Sequence, residues 1–205
     1  ATSETYRQLL KHYAEIPVIG LSATPFTKGL GKLFDALVIA ATIPELIAYG
    51  WLVDCEIYAP PGPDLTDVPI VRGDYEEVAA GKAIDKPKLV GNIVNHWLQL
   101  ANGKSTICFA QNILHSKHIC EEFLRRGIAA EHIDCYTPEE ERDLIFARFD
   151  SGDTTVLCNV DICSEGWDCP RCSVMILAKV TKSLTRFIQR CGRVLRPYDG
   201  KGLAL

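Results

Sequence analysis

Short, continuously apolar runs alternate along most of this chain with longer stretches in which apolar residues recur every third or fourth position. The runs Thr106–Ala110, Thr155–Cys158 and Val174–Ala178 have the length and unbroken hydrophobicity of strands covered on both faces. Between them, helical spacing predicts a helix from about Lys88 to Ala101, carrying Leu89, Ile93, Val94, Trp97 and Leu98. Another is predicted from about Leu114 to Arg126, stopped by Gly127. A third, from about Pro138 to Phe149, has Pro at its start and acids in its first turn, which complements the helix dipole. A last one covers Leu184–Cys191, and His132–Cys135 reads as a short strand. Strands alternating with helices of this length predict an α/β fold, with a mostly parallel sheet and helices on both faces. In such sheets ligands sit beyond the carboxyl ends of the strands. The loops after Ala110, Cys158 and Ala178 are therefore where chemistry is expected.

The first part of the chain is less regular. It predicts a helix over Ser3–Tyr13, a strand over Val18–Leu21 and a turn at Ala23-Thr24-Pro25. A helical patch at Pro44–Tyr49 and a strand at Cys55–Ala59 follow. Pro60–Asp74 holds four prolines and two glycines and reads as an irregular connection. This organisation predicts a short piece, residues 1–43, followed by a main body, residues 44–205, with an irregular insertion over about 60–85.

Composition narrows the class. The 205 residues are 47% hydrophobic and 23% charged, which excludes a disordered or collagen-like chain. The longest apolar stretches are far shorter than the ~20 residues that cross a bilayer. No basic segment followed by an apolar one opens the sequence, so no secretory signal is expected. Most of the nine cysteines sit inside apolar runs and read as free thiols of a cytoplasmic protein. The net charge of −4 hides a basic segment. From Lys179 to Lys201 there are seven Lys and Arg against one acid, Asp199. Such a segment in an acidic chain fits either a solvated helix face or a site for polyphosphate or a nucleic-acid backbone.

Three local patterns carry less than their spelling suggests. Asn102-Gly103-Lys104-Ser105 ends like a phosphate-binding loop, but Leu98 stands where the full pattern needs glycine. It also precedes a strand, whereas such a loop follows one. Cys169-Pro170-Arg171-Cys172 has the spacing of zinc and thiol redox sites, yet it precedes a strand and lacks a second pair. His115 and His118 share a helix face without further ligands. No metal site is predicted.

Three other segments fit one another. Gly20-Leu21-Ser22-Ala23-Thr24-Pro25-Phe26 puts two hydroxyls at the end of a short strand. Asn159 to Pro170 is a polar loop after a buried strand. Gln189-Arg190-Cys191-Gly192-Arg193-Val194-Leu195-Arg196-Pro197 places Arg193 and Arg196 on one face of a helical turn. Together these resemble the superfamily 2 helicases, ATP-driven motors built from two RecA-like lobes. Ser22-Ala23-Thr24 is similar to their motif III and Ile107–Gln111 to motif IV. Glu141-Arg142, Phe149 and Gly152 resemble the segment between motifs IV and V. Ser164-Glu165-Gly166-Trp167-Asp168-Cys169-Pro170 resembles motif V. Gln189-x-x-Gly192-Arg193-x-x-Arg196-Pro197 resembles motif VI. The Gly-Trp-Asp-x-Pro form, with Thr181-Lys182-Ser183 ahead of motif VI, is most similar to DNA-directed members. Those include type I and III restriction motor subunits and RadD-like repair helicases.

The resemblance implies a fold and a set of roles. Residues 1–43 would be the end of lobe 1, and 44–205 the RecA-like lobe 2. Arg193 and Arg196 would be arginine fingers for ATP hydrolysis, with Gln189 on the phosphate or the attacking water. Gly166, Asp168 and Gly192 would lie at the nucleotide. Ser22, Thr24, Gln111, Asn159 and Ser164 would contact nucleic acid or couple it to the cleft. The expected partners are DNA rather than RNA, and lobe 1 of the same protein. The expected cofactors are ATP and Mg2+, held mainly by lobe 1. The glycine-rich Gly-Lys-[Ser/Thr] loop and the Asp-Glu-x-[His/Asp] box of the family are absent from these residues. The chain therefore reads as a fragment, inactive alone, of an ATP-dependent DNA helicase or translocase. Two alternatives stand beside it: a nucleic-acid-binding or regulatory lobe without ATPase activity, and a zinc or redox module on Cys169 and Cys172.

Overall fold

The computed structural model describes residues 4–25, 29–164 and 166–205. Ser3, Phe26 and Glu165 of the segments above lie outside the described residues. The chain divides into two compact units, Ala1–Thr42 and Ile43–Leu205.

In the first unit, α1 covers Glu4–His12, and a single 3-10 turn covers Leu30–Lys32. Val18–Leu21 is not a strand. The segment has the apolar pattern of one, but among the described residues nothing pairs with its backbone, and a strand forms only with a neighbour. Ile19 and Leu21 are 85% and 94% exposed.

In the second unit, helix α2 (Ile43–Ala48) leads to strand β1 (Asp54–Cys55). The strand expected over Cys55–Ala59 is this much shorter, because its partner, β8 (Leu203–Ala204), offers two residues. The stretch read as irregular contains real elements. Strands β2 (Ile70–Val71) and β3 (Asp74–Tyr75) form a hairpin. Its turn residues Arg72 and Gly73 both have positive φ, 52° and 85°, as a tight two-residue hairpin turn requires. Helix α3 (Glu77–Ile84) follows, capped by Glu76, whose carboxylate accepts the Val78 and Ala79 N–H groups at 3.1 and 2.6 Å.

The main body matches the predicted rhythm. Helix α4 (Pro87–Leu100) precedes β4 (Thr106–Ala110), then α5 (Ile113–Arg125), β5 (Ala130–Ile133), α6 (Glu139–Ser151), β6 (Val156–Asn159), β7 (Val174–Ala178) and α7 (Leu184–Cys191). Four strands pair in the order β5-β6-β4-β7, all parallel. The predicted strand His132–Cys135 starts earlier, at Ala130, which is in register with Val156. Alternate side chains of each strand serve opposite faces. Cys108 and Ala110 pack with Val94, Trp97, Ile119 and Phe123 of α4 and α5. Ile107 and Phe109 pack with Ile145 and Phe149 of α6, and with Cys163, Trp167, Val194 and Leu195. The second group matters for function, because it seats the loop after β6 and the end of α7 on one face. Among the described residues no helix is long and apolar enough to cross a membrane.

His115 on α5 is 1% exposed, and its Nδ1 accepts the Gln111 N–H at 3.4 Å. Burial pushes its imidazole from the ordinary 6.5 down to about 4. Between those values the unfolded chain takes up a proton that the native chain refuses. This contribution to stability is complete above pH ~6.5 and is lost as pH falls toward about 4, on the order of 3 kcal/mol in all. Urea midpoints measured from pH 7 to pH 4 should fall for the native sequence and fall less steeply for His115→Gln.

Candidate functional site

The loop after β6 lies against α7 and the residues just beyond its end. Its first residue, Asn159, is fully buried. Its Nδ2 donates to the Cys108 carbonyl at 3.0 Å, and its Oδ1 accepts the Cys163 N–H at 3.3 Å. Both ends of the amide are thus bound within the fold. In the free chain Asn159 fixes the start of the loop. Gln111, 2% exposed, accepts the Val180 N–H on Oε1 at 3.1 Å and ties the ends of β4 and β7 together.

Opposite the loop, three arginines recur at intervals of three residues. Arg190 donates from Nη2 to Asp161 Oδ1 at 2.8 Å. Arg193 donates from Nη1 to the Trp167 carbonyl at 2.6 Å and from Nη2 to the Ser164 carbonyl at 2.7 Å. Arg196 pairs with Asp168. The sequence pattern singled out Arg193, Arg196, Ser164 and Asp168, and the fold brings these four together. It missed the first rung, Arg190 with Asp161, although Arg190 repeats the same spacing. Helix α7 starts this ladder with Ser183, whose Oγ accepts the Arg186 N–H at 3.4 Å.

The other expected residues fall as follows. Gly166, exposed, has φ 73°, which favours glycine. Gly192 ends α7 with φ −57°, and a Cβ there would meet only the Ile188 and Gln189 carbonyls at 3.5 and 3.6 Å. The fold itself therefore does not demand glycine at 192. Gln189 is half-buried on α7. The Ser164 hydroxyl and the Arg193 Nε are buried without a partner among the described residues. Ser22 and Thr24 belong to the first unit, where the Thr24 N–H donates to Ser22 Oγ at 3.1 Å.

Much of the basic segment has structural duties. Lys179 donates to Asp161 Oδ2 at 2.6 Å. Lys201 donates to the Pro170 and Cys172 carbonyls at 2.9 and 2.6 Å. Outside that segment, Arg171 donates to the Phe149 carbonyl at 2.9 Å. Lys201 and Arg171 staple the Cys169–Cys172 turn, whose thiols point to oxygen: Cys169 to Asp150 at 3.6 Å, Cys172 to the Val174 carbonyl at 3.6 Å. Burial pushes the two thiols up to about 11 and 12. Burial that disfavours the thiolate fits a structural turn. Among the described residues no group of three or more His, Cys, Asp or Glu converges as a metal site.

The chain is similar to known proteins in sequence and fold. The helicase conserved C-terminal domain matches residues 85–198. The "51.5 kDa protein" of a Lactococcus phage (isolate 7-9) is 35% identical over 195 residues, covering 94% of this chain and 43% of that protein. A Saccharomyces cerevisiae protein named "Putative ATP-dependent helicase IRC3" is 29% identical over 214 residues, covering 98% of this chain and 31% of that one. The chain thus spans less than half the length of these relatives. A fragment assigned as an HsdR subunit of a type I restriction enzyme from Vibrio vulnificus YJ016 superposes with a TM-score of 0.73 at 18% identity, over 98% of this chain and 41% of that chain, and supports the fold alone. With the family match over more than half its residues and a four-stranded parallel sheet, this chain belongs to the helicase conserved C-terminal domain family.

Proposed function

We propose that this lobe serves an ATP-dependent DNA helicase or translocase, in which Arg193 and Arg196 reach the γ-phosphate of ATP held mainly by lobe 1. Residues 1–43 would be the end of that lobe. The observation that carries the reading is the arginine ladder, two of whose rungs can exchange partners. Arg193 binds two neutral carbonyls, and Arg196 binds an exposed carboxylate. Guanidinium bonds to phosphate are charge-assisted and stronger than bonds to carbonyls. The fork of Arg193 can therefore leave Ser164 and Trp167 for a phosphate oxygen without leaving the face of the loop. Its donor set fits a polyphosphate; magnesium, supplied with ATP and held elsewhere, would neutralise charge between the phosphates.

In this reading the loop from Ile162 to Asp168 answers to nucleic acid and to nucleotide at once. When Ser164 and Gly166 settle against backbone phosphates, the two carbonyls that hold Arg193 move with them. Such contacts are to phosphate and do not read sequence. Gln111, Ser22 and Thr24 complete the track or its coupling, and Gln189 and Gly192 line the cleft. The test is ATP hydrolysis by the full-length protein, alone and with single-stranded DNA, duplex DNA or RNA. Turnover raised at least tenfold by DNA is expected. Turnover raised equally by RNA would correct the substrate, and turnover indifferent to any nucleic acid would leave a lobe without motor function.

A further inference from the structure

The first rung of the ladder differs from the other two in burial and in charge. Arg190 is 2% exposed, and its guanidinium stacks over the Phe109 ring at 5.4 Å. Its Nε and Nη1 are buried without a partner among the described residues. The Lys179 side chain, at the end of β7, is 9% exposed. Among the described residues, the one carboxylate paired with either cation is Asp161, which takes Lys179 on Oδ2 and Arg190 on Oδ1. Burial works to raise the Asp161 carboxyl, but its bonds and charge contacts with Lys179 and Arg190 outweigh it and leave it lowered. Asp161 also holds φ 59°, a left-handed backbone that a residue other than glycine adopts at a cost. The Asp161 side chain itself is 50% exposed, and what sets this rung apart is that one strained residue joins the β6 loop, the end of β7 and α7 through two near-buried cations.

We propose that Asp161 is the positioning residue of the ladder: it locks Arg190 in place, and so aims Arg193, one turn further on, when the outer rungs exchange partners. This rests on the reading of Arg193 as a group that acts on ATP. The physical requirement is simple. If the outer rungs are to let go of the loop and return, one rung must stay. Only the first has buried cations and two of them on one carboxylate. Arg196 has a side chain 37% exposed and pairs with a side chain 57% exposed, a contact of the readily broken kind.

Removing Asp161 alone would strand two buried cations and cost stability as well as aim. The variant that separates the two is the triple Asp161→Asn, Lys179→Met, Arg190→Met in the full-length protein. A buried ionic cluster replaced by apolar groups is often neutral for stability, so its melting midpoint should stay near that of the native protein. Its kcat for DNA-stimulated ATP hydrolysis should nevertheless fall on the order of 10–100-fold with little change in KM for ATP, as for a displaced catalytic group. Wild-type kcat in the triple variant would overturn the proposal. Should the triple variant not fold, Arg190→Lys keeps the charge beside Asp161 without the rigid fork. A drop in kcat at an unchanged melting midpoint supports the proposal, and native kcat overturns it. Arg193→Ala runs alongside. If it too leaves kcat untouched, the reading of the arginines fails as a whole; if it lowers kcat while the other variants do not, only the role of Asp161 fails.

Discussion

Arg193→Ala is expected to lower DNA-stimulated ATP turnover in the full-length protein by roughly 10³-fold or more, the order found when an arginine finger is lost. The loss should appear in kcat, because in the proposed role the group meets charge that grows in the transition state. Stability should change far less. Arg193 is half-buried, and its two bonds in the free chain go to carbonyls of a surface loop. Arg193→Lys should rescue little, since one ammonium cannot reproduce two parallel donors. Arg196→Ala should follow the same direction with a smaller loss, because Arg196 is the more exposed rung. Steady-state kinetics with saturating DNA and a thermal melt of each variant check all three.

The second large effect falls on stability and not on turnover. Asn159→Leu leaves the Cys108 carbonyl without its side-chain donor and the Cys163 N–H without its acceptor, both inside the core. Each buried group left unpaired costs roughly 1–3 kcal/mol, so about 2–6 kcal/mol in total is expected from denaturant unfolding. At a temperature where the variant is still folded, its DNA affinity should match that of the native protein. Affinity that drops while stability holds would return Asn159 to the nucleic-acid surface.

These two positions illustrate what the amino-acid pattern could and could not tell. Strands β4 and β7 are legible to the residue, because continuous apolar runs bounded by polar residues have no other comfortable place than a covered parallel sheet. Helix α3 was hidden. Its eight residues are short for any periodicity to emerge, and its reasons are tertiary. Gly81, for example, is glycine where a Cβ would come within 2.3 Å of the Asn112 amide, which caps α5. No local rule announces that approach. Val18–Leu21 failed in the opposite way: its pattern is that of a strand, but pairing depends on a neighbour, and none occurs among the described residues.

The same division runs through the site. Arg193 and Arg196 could be read from spacing, since a helix turn puts them on one face whatever the context. Arg190 shares that spacing, but its importance comes from Asp161, 29 residues earlier, and from a Lys at the end of another strand. The inward bonds of Asn159 were not legible, because a polar residue at a strand end looks alike in sequence whether its amide turns toward solvent or toward the core. Cys169 and Cys172 mislead similarly: their spacing suits a metal, while the fold surrounds them with oxygen acceptors and two stapling cations.

The central claim is that the ladder opens onto the γ-phosphate in the transition state. Binding of ADP, and of ADP with aluminium fluoride as a mimic of the transferring phosphoryl group, measures this directly in the native full-length protein and in Arg193→Ala with DNA present. The native protein should bind the mimic about 10²-fold or more tighter than ADP. Arg193→Ala should keep the ADP affinity and lose most of that preference. An equal preference in both proteins would contradict the claim and leave the ladder as a brace for the loop alone.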